Sequence, residues 1–138
     1  MYVGYVFLCS ADVLKDCVRR KLFTCSGDNV QIVQKMETGS VVFLLNLDSN
    51  TLVGPFTAAG STGLKSGSWR EVTDARTNAG IRVEWENLHE LKDAQDMFPF
   101  LMDLNVCKLS HFQAQDLLNA LKEAPLFNAE RATARKRN

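Results

Sequence analysis

The chain has no net charge: sixteen Lys and Arg balance sixteen Asp and Glu over 138 residues. A whole-molecule field therefore gives no argument for nucleic acid, and any such claim must rest on a local patch. Paired cysteines are lacking too. Cys9, Cys17, Cys25 and Cys107 contain no Cys-x-x-Cys pair and none of the short spacings of a zinc site or a disulfide framework, and His89 and His111 are the only imidazoles. Reduced, mostly buried thiols and no metal centre are the expectation. The longest apolar runs, around Val41 and Phe98, are far too short to span a bilayer. The first residues carry neither a basic flank nor a signal-peptide core, so a cytoplasmic, reducing location without a membrane partner is expected. Catalytic spacing is missing as well: no base is set against a nucleophile, and Gly60-Ser61-Thr62-Gly63 lacks the Gly-Lys-Ser/Thr ending of a phosphate-cradling loop. The chain reads as a non-enzymatic binding module with no catalytic residue and no cofactor.

What is present is a regular alternation of strand and helix signals. A domain of this length buries roughly two thirds of its unfolded surface, enough to fold without staples and as a monomer. Residues 2–9 are aromatic and β-branched and read as a first strand, central because both faces are apolar. Leu14, Cys17, Val18, Lys21 and Leu22 then fall at helical spacing, with Ser10 or Asp12 as cap, giving an amphipathic helix that ends near Phe23. After a break at Gly27-Asp28-Asn29, residues 30–35 resume a strand that turns at Glu37-Thr38-Gly39 into a hydrophobic strand over 41–47. Asp48-Ser49-Asn50 makes a hairpin with 51–59, and 60–80 reads as a long loop of Gly, Ser, Thr and Asn. Ile81, Val83 and Trp85 alternate with Arg82 and Glu84, a half-buried strand that should carry the Trp85 indole inward. Residues 88–96 are expected to form a short acidic helix that cannot continue through Pro99, leaving Phe98 and Phe100 to plug a barrel. Ser110 and Gln113 make a capping box for a last helix striped by Phe112, Leu117, Leu118 and Leu121, which ends before Pro125. Residues 1–127 thus read as a single α+β domain, a small mixed β-barrel of about five to six strands with helices packed around it. Residues 128–138 carry Arg131, Arg135, Lys136 and Arg137 and read as a flexible basic tail, or one ordered by a partner.

Few side chains stand out as binding groups. Trp69 sits in the Gly/Ser-rich loop, where no strand needs an indole, and reads either as a binding surface or as a side chain folded back over the barrel end. Asn46 closes a hydrophobic strand as a turn former whose amide is also able to read a base edge. Phe23 reads first as an aromatic closing the core, and only its pairing with Trp69 makes it a pocket wall. Cys9 reads as a packed strand end with nothing nearby in sequence to lower its pKa. Lys15, Arg19 and Arg20, with Arg135, Lys136 and Arg137, form either a surface that tracks phosphates or an ordinary solvated face.

The segments Gly4-Tyr5-Val6-Phe7-Leu8-Cys9, Val41-Val42-Phe43-Leu44-Leu45-Asn46, Leu52-Val53-Gly54-Pro55-Phe56-Thr57-Ala58, Trp69 and Ala79-Gly80-Ile81-Arg82-Val83 together resemble a DCD (development and cell death) domain. The same order of elements is similar to the YTH and EVE domains of the PUA-like group, in which a pocket beside the first helix holds a modified base between aromatic side chains. That resemblance implies that Phe23 and Trp69 fall where two cage aromatics stand, and that Cys9 and Ser10 fall at the strand-to-helix corner that contacts the base. A base stacked on an aromatic contributes roughly 1–3 kcal/mol and needs no positive charge at the contact itself. The function expected is recognition of single-stranded RNA or DNA, modified or unmodified, by a pocket of Cys9, Ser10, Phe23, Asn46 and Trp69. The alternative implied by the DCD resemblance is a protein or peptide interaction module in stress and cell-death signalling.

Overall fold

A computed structural model describes residues 4–25, 36–62, 79–102 and 108–127. Seven strands form one mixed sheet around two apolar layers. Strand β1 (Gly4–Cys9) leads through helix α1 (Ala11–Arg20) to β2 (Leu22–Cys25); β3 (Val41–Asn46), β4 (Thr51–Thr62) and β5 (Ala79–Glu84) follow, then β6 (His89–Lys92), the single turn α2 (Ala94–Met97), a 3-10 turn over Pro99–Met102, β7 (Lys108–Leu109) and helix α3 (His111–Lys122). The order across the sheet is β2-β5-β4-β3-β1-β7, with β6 pairing the first half of β4.

The expected central position of β1 is found. It pairs in parallel with β3 on one side and antiparallel with β7 on the other. Both faces are apolar because each meets a different layer. Tyr5, Phe7 and Cys9 of β1, with Val42 and Leu44 of β3, join the cluster that α1 covers through Leu14, Cys17 and Val18. Their neighbours one residue along, Val6, Phe43 and Leu45, point the other way into the cluster under α3, where Ala114, Leu117 and Leu121 are buried. The two-residue period of a strand thus feeds two cores at once. Gly4 is required at the second contact: a Cβ there would lie 2.8 Å from the Ala114 Cβ.

The helix ends follow from their caps. Ser10 Oγ accepts from Val13 N at 3.2 Å and starts α1, and Lys21 ends it in the left-handed conformation at φ 56°. The Ser110–Gln113 capping box is present in both directions at α3, with distances of 2.9 and 3.0 Å. Pro55, which has no amide to donate, sits where the β3–β4 register shifts, so no ladder bond is lost at a regular position.

Several expectations are corrected. The described residues form seven strands rather than five or six, and their order ends on β2 and β7, so closure into a barrel is not seen among them. Phe23 lies within β2, opposite Ile81, rather than at the end of the helix, because the left-handed Lys21 terminates α1 two residues earlier. Gly60-Ser61-Thr62 continues β4 against β5 instead of opening a loop, with Gly60 taking φ 141° at a bulge. Residues 89–92 are a strand, not part of an acidic helix, since main-chain pairing with residues 51–54 of β4 outweighs a weak helical preference. Phe98 and Phe100 pack on the layer under α3 rather than plugging a barrel. Phe112 is 78% exposed and does not belong to the apolar stripe, which runs through Ala114, Leu117 and Leu121. The strand expected over 30–35 and the tail over 128–138 lie outside the described residues. Among the described residues no helix is long and apolar enough to cross a membrane.

Candidate binding site

The corner from β1 into α1 is held by a closed set of local bonds. Leu47 N donates to Cys9 O at 2.9 Å, and the Asp48 carboxylate accepts from Ala11 N at 2.8 Å at the start of the helix. Asn46 stands opposite Cys9 in the parallel ladder and is buried; its Oδ1 accepts from Asp48 N at 2.9 Å. This is an Asx turn that shapes the β3–β4 hairpin and brings the Asp48 carboxylate to the helix N-terminus. Cys9, Ser10 and Asn46 are therefore brought together. Ser10 spends its hydroxyl on the helix cap, and the Cys9 thiol points at Leu45 O, 3.7 Å away. Burial, with the Asp48 charge as the second cause, pushes the Cys9 thiol up to about 12, so it is not a nucleophile.

Beside α1 an opening of about 360 Å³ is lined by Asp12, Val13, Asp16, Cys17, Leu22 and Phe23. Of the sequence-predicted pocket residues, Phe23 lines it. The Phe23 ring is 4% exposed and packs on Phe7 with centroids 4.8 Å apart, so it forms a fixed floor rather than a mobile wall. The core reading of Phe23 is met, and the residue is also among those that line the opening. Trp69 lies outside the described residues, as do Arg135, Lys136 and Arg137. Asp12 reads in the sequence only as an alternative cap for α1, a place that Ser10 takes, and Asp16 does not stand out there. The signal for them is the i, i+4 spacing that sets both carboxylates on one side of α1.

Lys15, Arg19 and Arg20 are all exposed on α1. Arg19 forms an ion pair with Asp16, and Arg20 Nε reaches the same oxygen at 3.1 Å. Partial burial raises the Asp16 pKa, but hydrogen bonds from Arg19 and then Arg20, with their charges, outweigh it and hold the carboxyl below its ordinary value. The basic side of the helix is thus ordered by one acid at the edge of the opening.

A second and larger hollow, of about 650 Å³, lies between the β5–β6 turn and α3, with Trp85, Asn87 and Asn119 in its lining. Trp85 was expected inward on a strand. It follows the last residue of β5 and is half-buried, its ring standing edge-on to Phe56 at 5.5 Å. The inward reading is met in part, since Trp85 packs against the cluster under α1 from one residue past the strand, between the exposed Glu84 and Glu86.

The profile of the Development and cell death domain matches residues 3–119. The chain belongs to this family. The DCD domain-containing protein NRP-B of Glycine max is 27% identical over 139 residues, covering 91% of this chain and 41% of its own length. The B2 protein of Daucus carota is 27% identical over 103 residues, covering 71% of this chain and 50% of its own. This DCD chain therefore spans half or less of the length of these relatives. The fold is YTH-like. The structure of the Mmi1 YTH domain in complex with RNA superposes with a TM-score of 0.68 at 10% identity, over 88% of this chain and 78% of that one. The YTH domain of Zygosaccharomyces rouxii MRB1 in complex with N6-methyladenosine RNA superposes at 0.66 and 13% identity, over 91% and 90% of the two chains.

Proposed function

We propose that this DCD domain is a non-enzymatic reader of single-stranded nucleic acid, RNA foremost, that takes one base, modified or unmodified, beside α1. The observation that carries the reading is the opening of about 360 Å³ floored by Phe23, set against the first helix of a YTH-like fold whose solved relatives include RNA complexes. Its volume lies within the usual range of a ligand pocket, roughly 300–1,000 Å³. Its chemistry suits a base better than a phosphate. Asp12 and Asp16 repel an anion but accept hydrogen bonds from ring or exocyclic N–H groups, while Leu22 and Phe23 offer an apolar floor. Trp69 is assigned the stacking wall over that floor, and Cys9, Ser10 and Asn46 the corner that holds the base edge. Lys15, Arg19 and Arg20, with Arg135, Lys136 and Arg137, are assigned the flanking phosphates.

The test is a fluorescence titration of the chain with short single-stranded RNA and DNA oligonucleotides, modified and unmodified, with Trp69→Phe alongside. Saturable quenching that is lost in Trp69→Phe supports a base pocket, and the oligonucleotide giving the tightest binding names the base. No binding even at low salt overturns the reading.

A further inference from the structure

The hollow at Trp85 is separate from the opening beside α1, and none of the residues lining one lines the other. Its walls come from the middle of β4, the turn after β5 and the exposed side of α3, including Pro55, Thr57, Gln115 and Lys122. Its rim carries two exposed carboxylates, Glu84 and Glu86, on either side of Trp85, with Lys122 across from them on α3. The aromatic in it already receives a cation, for Lys21 Nζ stands 5.5 Å from the centre of the Trp85 ring. Phe56 meets the indole edge-on, with an interplanar angle of 88°, and backs the ring from the core.

The geometry points to a second binding site here, a docking groove for a short basic peptide segment of a partner protein. An Arg side chain laid along Trp85 would have an aromatic face for its guanidinium, and Glu84 and Glu86 as bidentate acceptors. Gln115 and Asn119, already linked to each other at 3.2 Å on α3, together with Asn87, offer amides to the peptide main chain. A nucleic-acid strand is disfavoured at this groove because the two carboxylates face its phosphates. This assignment stands apart from the base-reading proposal, which concerns the opening beside α1.

The experiment is fluorescence polarisation of the full chain with a labelled Arg-Ser repeat peptide and the same peptide with Glu for Arg, with amide NMR shifts followed in parallel. Binding of the Arg peptide alone, shifts at Asn87, Gln115 and Asn119, and a weakening of roughly three- to tenfold in the exposed pair Glu84→Gln with Glu86→Gln support the groove. Trp85→Phe keeps an aromatic against Phe56 and should weaken binding about twofold, since Phe is the poorer cation acceptor. Unchanged affinity in the glutamine pair overturns the assignment. So do shifts at these amides caused by an oligonucleotide instead of the peptide. If replacing Arg131, Arg135, Lys136 and Arg137 by Gln moves the same amides with no peptide added, the groove holds the chain's own basic segment and the partner assignment falls.

Discussion

Gly4 is the point at which the central strand meets the last helix, and the absence of a side chain there sets their distance. An alanine Cβ would need to move Ala114 by several tenths of an ångström, since both are backbone-anchored atoms at 2.8 Å. Gly4→Ala should therefore destabilise the fold by roughly 1–3 kcal/mol, in the manner of overpacked cores, and urea unfolding should show it in the midpoint with an unchanged slope. Cys9 gives a prediction of the opposite kind. With its thiol near 12, roughly one Cys9 in ten thousand is ionised at pH 8, so alkylation in the native protein should be slower than after unfolding by orders of magnitude. Peptide-resolved mass spectrometry after iodoacetamide treatment measures this, and fast native labelling at Cys9 would contradict both its burial and its high pKa. Ser10 is shared between the two roles given to it. Ser10→Ala should cost about 1 kcal/mol through the lost cap and Ser10→Gly only a few tenths, so an equal fall in oligonucleotide affinity in both would assign the hydroxyl to the ligand as well, whereas a fall in Ser10→Ala alone would reflect the cap.

At the scale of the element, α1 carries both the acid and the bases of the candidate site. The Asp16 carboxyl is held below its ordinary value, so the bonds from Arg19 and Arg20 contribute their stability above the unfolded Asp pKa, near 3.9, and lose it as pH falls through the lower folded value. The side chain is 41% exposed, so this contribution is a fraction of a kcal/mol after solvent screening. Asp16→Asn should accordingly leave the melting temperature within a few degrees. It should weaken oligonucleotide binding severalfold, because the carboxylate that accepts from the base N–H groups is lost. Tighter binding would instead mean that Asp16 only restrains Arg19 and Arg20 and repels phosphate. The elements themselves were readable where local chemistry decides them. The alternating apolar residues of β1 and β3, the cap at Ser10 and the box at Ser110 each fix structure within a few residues of their own position. What was not readable depends on partners far along the chain. His-Glu-Leu-Lys at 89–92 becomes a strand only because β4 presents an unpaired edge, and Phe23 becomes part of β2 only because β5 lies beside it. The site was legible in the same proportion. The corner of Cys9, Ser10 and Asn46 follows from adjacent elements, whereas the part of Asp12 and Asp16 in the opening follows from a strand laid against their helix.

For the molecule as a whole, the balance of sixteen cations and sixteen anions means that nucleic-acid affinity cannot come from a long-range field and must come from counted contacts. Those contacts have a thermodynamic signature. Each phosphate neutralised on a single strand contributes about −0.7 to the slope of log K against log salt concentration. If Lys15, Arg19 and Arg20 alone meet the backbone, the slope should be about −2, and if Arg135, Lys136 and Arg137 join them it should approach −4. Titrating the full chain and the variant Arg135→Gln, Lys136→Gln and Arg137→Gln across a salt series separates the two cases, because the variant removes charge without touching any described element. A difference in slope of about 2 would assign the tail to the phosphates; equal slopes would confine the nucleic-acid surface to α1. A slope near zero in both would mean that no backbone is being held, and would shift the weight of function to the acidic groove at Trp85, whose affinity for a basic peptide should itself fall with added salt through only two rim carboxylates.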